Sequence, residues 1–129
     1  MFGSNRLGAA LNVTGVTSLL STYASGLSSK ALVPGTLVPE DVAVSETINF
    51  YMTSPYDPRK GYHEYTYTVS CRSKLEHTSR AIAEAVIAAV NELQITSGTF
   101  YVSEVLQTLP PIDSTDLYNT PLTVILKSR

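Results

Sequence analysis

EYTYTVSCRSKLEHTSRAIAEAVIAAVNEL, residues Glu64–Leu93, contains the change of period that decides the fold. Up to Arg72 the residues alternate: Tyr65, Tyr67, Val69 and Cys71 share one side, and Glu64, Thr66, Thr68, Ser70 and Arg72 share the other. A period of two is that of a half-buried strand. Beyond Arg72 the period lengthens. Leu75, Ile82, Ala85, Val86, Ala89, Val90 and Leu93 fall on one helical stripe, with Glu84, Asn91 and Glu92 toward the other side. Ser73, three residues ahead of Glu76, predicts a capping box at the helix start. A strand running into an amphipathic helix is a scaffold and carries no chemistry of its own.

Working toward the N-terminus, an alternating run from Glu46 to Met52 predicts a preceding strand, with Ile48, Phe50 and Met52 on one face. Residues 53–63, with two prolines and a glycine, read as the extended arm of the hairpin that joins it to the next strand. Residues 28–45 read as a connector, with a short extended piece at 36–38. Val13, Val16, Leu20, Tyr23 and Leu27 predict a first helix over about residues 7–26, weakened by Gly8 and Gly15 and stopped by Gly26. Toward the C-terminus the central helix is expected to end near Gln94. A strand should follow at 99–106, then an acidic loop at 107–116 and a last strand at 122–127 entered by Pro121. The predicted order is α-β-β-α-β-β. The expected class is α+β, a four-stranded mainly antiparallel sheet with helices packed on one face.

The totals fit one globular domain over residues 1–129, with 43% hydrophobic and 16% charged residues. Serine and threonine number 30. A net charge of −2 gives no bulk attraction to nucleic acid or anionic lipid. No stretch reaches the roughly 18 apolar residues of a membrane span. The apolar run Leu7–Leu11 is broken too early for a signal peptide, so a soluble protein made in the cytoplasm is expected. One cysteine and two histidines at scattered spacing do not form a zinc set. Cys71 with His77 is the one conceivable nucleophile and base, yet Cys71 stands in register with Val69 and Tyr67 as a small core residue. No glycine-rich loop follows a strand to cradle phosphate. No catalytic residue, cofactor or metal is expected.

Interaction is the better use of the surface. Tyr56, Asp57, Arg59, Lys60 and Tyr62 place aromatic and charged groups in the hairpin arm, where tyrosine and arginine favour interfaces. Arg72 and Lys74, with Arg80, form a basic cluster at the helix start that suits solvent or a neighbouring subunit. Asp113 and Asp116 could form a carboxylate pair, but they sit in the acidic Pro/Ser/Thr loop, where aspartate favours turns. These are the candidate interface residues.

Element order and local character resemble one family. A polar strand closes on Cys71-Arg72 and an alanine-rich helix spans Thr78–Leu93. A strand then follows Gly98, succeeded by an acidic loop and a terminal strand containing Leu122–Leu126. This resembles the tail terminator (tail completion) proteins of long-tailed bacteriophages over residues 7–127. The resemblance implies a virion structural protein at the head–tail junction, assembled in the host cytoplasm. Its subunits would form a homo-oligomeric ring, commonly a hexamer, that caps the tail tube, stops its polymerisation and docks the head. Implied partners are other copies of itself, the tail tube protein and the head–tail connector, with DNA only passing through the lumen. A head–tail stopper or adaptor is the neighbouring alternative. A small-molecule-binding α/β module, with Tyr65 or Tyr67 lining a cavity, is a more distant one.

Overall fold

The computed structural model describes residues 2–23, 26–35, 46–54, 63–95, 98–102, 107–111 and 117–128. Its elements are α1 (Phe2–Leu11), α2 (Thr14–Thr17), β1 (Leu32–Pro34), β2 (Thr47–Ser54), β3 (His63–Ser73), α3 (Glu76–Val90), β4 (Gln94–Ile95), β5 (Gly98–Val102) and β6 (Tyr118–Ser128). The strands form one mixed sheet of six, ordered β1-β2-β3-β6-β5-β4 and curled into a half-barrel. This overturns the expected four-stranded antiparallel sheet and the order α-β-β-α-β-β. The expected helical layer is also reduced, since among the described residues α3 is the one helix longer than ten residues and α2 is a single turn.

Two short edge strands account for the difference in strand number. Leu32, Val33 and Pro34 pair in parallel with Ile48, Asn49 and Phe50. Three residues are too few to show a period, and Pro34 ends the strand at a sheet edge, where a missing amide is tolerated. At the opposite edge, Gln94 and Ile95 pair with Thr99 and Gly98. Two residues are too few to show a period, and the apolar stripe of α3 carries on to Leu93, so the helix is expected to end near Gln94 with no strand before Gly98. Instead α3 stops at Val90, and Glu92 takes a left-handed backbone (φ 62°) that turns the chain back. The Glu92 amide then donates to the Phe100 carbonyl (2.7 Å), and Asn91 Oδ1 accepts from the Val102 amide (3.0 Å).

The single helix expected over 7–26 is broken at Asn12 and Val13. Val13 is extended (φ −125°, ψ 153°) and 41% exposed, whereas Leu7, Leu11, Val16 and Leu20 are buried. Asparagine beside a β-branched residue is a weak place for a helix, and the apolar residues reach the core better from two short pieces. The capping box is likewise absent. Leu75 is the N-cap and makes no side-chain cap; it is 54% exposed, not part of the apolar stripe. Ser73 Oγ instead accepts from the Leu75 amide (3.2 Å) and donates to Glu46 Oε2 (3.2 Å). Ser21 Oγ donates to the other oxygen, Glu46 Oε1 (3.3 Å). One carboxylate thus holds the N-terminal segment against the end of β3.

The core lies between α1, α3 and one face of the sheet. Tyr67, Val69 and Cys71 of β3 are fully buried with Ile82, Val86 and Val90 of α3, and Phe100, Val124 and Leu126 complete the layer. β6 begins at Tyr118, earlier than expected, so Pro121 lies inside it, opposite Ser70. Asn119 exchanges both backbone hydrogen bonds with Leu109, on the side away from β3. Backbone groups alternate sides along a strand, so the Pro121 nitrogen also points away from β3. No β3–β6 ladder bond is lost at the proline.

Candidate functional site

The described surface offers two features that could act on a partner, and they face in opposite directions. The first is the side of the sheet turned away from α3. Phe100 and Val102 are buried, so Tyr101 between them points outward, where it is 42% exposed. Tyr101 pairs with Ile125 and Thr99 pairs with Lys127, so Tyr101 and Lys127 are diagonal neighbours on β5 and β6. The ammonium of Lys127 lies 5.5 Å from the centre of the Tyr101 ring, within reach of a cation–π contact. Register continues this surface through Ile125 and Thr66 in one row and Thr123, Thr68 and Tyr51 in the next.

The second feature is a concavity of about 300 Å³ on the solvent side of α3, lined among the described residues by Glu76, His77, Arg80, Ala81 and Glu84. Glu76, Arg80 and Glu84 recur every four residues and form a ridge; His77 and Ala81 form the next row. Ala81 is the one small side chain of this described lining, among four longer polar ones.

The other end of the outer sheet face is closed. Thr47, Asn49 and Ser70 are buried there, and Asn49 Nδ2 donates to the Gly35 carbonyl (3.2 Å). Arg72 is half-buried in the same region, paired in register with Thr47 and Asn119, and already has an interaction within the fold. Lys74 is exposed just after β3. The other candidate interface residues lie outside the described residues: Tyr56, Asp57, Arg59, Lys60 and Tyr62 of the arm, and Asp113 and Asp116 of the acidic loop.

Potentially reactive groups are not brought together. Cys71 is fully buried, and burial pushes its thiol pKa far above the ordinary range, while His77 is exposed on the outer side of α3. Tyr67 is buried, with its hydroxyl unpaired among the described residues, and loss of hydration pushes its pKa up to about 12. The charge of Arg6 opposes that shift, and the Tyr65 phenol adds to it. Sequence reasoning missed the Tyr101–Lys127 neighbourhood because strand register creates it. It also passed over Ser79 and Thr120, polar residues that are fully buried.

No protein-family model matches the sequence, and no curated protein matches it. Among solved structures, a chain from the "Virion of native gene transfer agent (GTA) particle" superposes with a TM-score of 0.64. The two share a fold. The match covers 95% of this chain and 90% of the other at 11% identity, so the likeness is one of architecture from end to end.

Proposed function

We propose that this chain is a virion structural protein that forms a ring at the head–tail junction of a tailed phage. The ring caps the tail tube, stops its polymerisation and presents the surface to which the head docks. The observation that carries this reading is the fold shared over nearly the whole chain with a component of the GTA virion. Two outward features on opposite sides of the subunit suit repeated head-to-tail contacts, which close a ring when the rotation allows. A net charge of −2 suits a lumen through which DNA passes without being held.

Catalysis is no part of this role. A thiol buried in the core and held protonated is a poor nucleophile, and the exposed His77 gives it no base. The small-ligand reading needs Tyr65 or Tyr67 at a cavity wall, but Tyr67 is packed in the core and Tyr65 packs against it.

Negative-stain microscopy of the purified protein, alone and mixed with tail tubes, tests the proposal. Rings of one stoichiometry seated on tube ends, with tubes that no longer lengthen, are expected. Rings that bind filled heads but leave tubes growing would assign a stopper; a protein that forms no ring and binds neither would remove the reading.

A further inference from the structure

The two outward features fit each other. We propose that the Tyr101–Lys127 pair of one copy seats in the α3 concavity of the next copy, and that this contact joins the subunits of the assembly. The inference rests on the ring reading above and names the surfaces that would build the ring.

Three observations support the fit. The first is shape. Tyr101 stands exposed on a sheet face beside its register partner Ile125, while the concavity of about 300 Å³ has the small Ala81 in its described lining. An aromatic ring entering a pocket at the centre of a contact is the usual form of an energetic anchor between proteins. The second is charge. Among the described lining residues Glu76 and Glu84 outweigh Arg80, whereas the exposed pair carries the Lys127 ammonium. Complementary signs favour this orientation over its reverse.

The third is direction. Tyr101 points from the sheet side away from α3, and the concavity opens on the solvent side of α3. No copy can fill its own concavity. A two-fold pair would need one self-complementary patch, so joining these surfaces is head-to-tail.

The test uses the full chain and its self-association, measured by sedimentation velocity over a range of concentrations. Tyr101→Ala, at an exposed site, should keep the wild-type melting curve and raise the concentration for half-assembly at least about tenfold. Lys127→Glu and Glu84→Lys should each raise it by about three- to tenfold, and combining the two should recover most of the loss. The proposal is overturned if wild-type rings form and Tyr101→Ala assembles at the same concentration. It is also overturned if the double reversal is no better than either single change. Rings of Tyr101→Ala that form normally but no longer seat on tubes would assign this surface to the tube, against the proposal. A wild-type chain that never assembles would remove the ring reading itself, a result distinct from any of these.

Discussion

The hydroxyls of Ser79 on α3 and Thr120 on β6 meet 2.8 Å apart, and both residues are fully buried. Ser79 Oγ donates its one proton to the Cys71 carbonyl (2.7 Å), so Thr120 must be the donor between the two hydroxyls. Thr120 therefore has no proton left for Thr108, whose Oγ1 lies 2.8 Å away, and Thr108 donates to it. The chain runs one way, from Thr108 through Thr120 and Ser79 to Cys71. It fixes α3 against β3 and β6 and holds the segment 107–111 to the same point.

Ser79→Ala removes the middle link and leaves buried groups short of a partner, so stability should fall by about 1–2 kcal/mol. Thr120→Val should cost a similar amount. The double variant should lose less than the two losses added, because the second change removes a bond already broken. Urea unfolding of all four proteins, with unchanged m values, measures this coupling.

Tyr67 predicts a loss of stability in alkali. Its folded pKa of about 12 lies above the ordinary tyrosine value of 10. Below pH 10 the phenol is neutral in both states, and its contribution is fully present. Between pH 10 and 12 the unfolded chain releases the proton while the folded chain keeps it. Stability therefore falls as pH rises, by at most about 1 kcal/mol per pH unit from this residue. Tyr67→Phe removes a hydroxyl with no described partner, so it should cost well under about 1 kcal/mol at pH 7. The stability difference between wild type and variant, followed from pH 9 to 12, should track the Tyr67 titration alone.

Cys71 should resist thiol reagents in the native protein and react at the rate of unfolding, since it is fully buried and held protonated. Cys71→Ser places a hydroxyl in the fully buried apolar core and should cost about 1–3 kcal/mol. Assembly at temperatures where the variant is folded should be unchanged. Labelling kinetics with and without denaturant, together with a melting curve, check both statements.

Gly26 cannot carry a side chain. A Cβ there would collide with the Lys30 carbonyl oxygen, in a loop closed by the Tyr23 amide on the Ser29 carbonyl (2.9 Å). Gly26→Ala should destabilise by about 2 kcal/mol or more, since backbone must move to admit the methyl. Gly15→Ala, with open space at its Cβ and a helical site, should be neutral or stabilising by up to about 1 kcal/mol. Thermal melts of the two variants separate the steric role of one glycine from the helix-weakening role of the other.

Long periodic segments were legible in the sequence. Tyr67, Val69 and Cys71 alternate into the core, and Ile82, Val86 and Val90 fall on the buried side of α3. The edges of the sheet were not legible. Leu32–Pro34 and Gln94–Ile95 are too short to show alternation, and nothing in the spacing marks the backbone reversal at Glu92 that ends α3 before Leu93. Val13 was misassigned because it keeps the three-and-four spacing while its own backbone is extended. Ser79 keeps the spacing of Ile82 and Val86, but its hydroxyl partner Thr120, 41 positions away, is visible only once β6 lies beside α3. Tyr101 and Lys127 become a surface only when β5 and β6 are set in register. Periodicity reports which side of an element is apolar; it does not report which distant strand lies alongside.

Native mass spectrometry of the full chain across a wide concentration range tests the central claim most directly. The account predicts one closed ring of fixed stoichiometry, six copies by the family resemblance, with little population of open intermediates. A chain that stays monomeric up to several hundred micromolar, or that grows into open-ended polymers without closing, would contradict it.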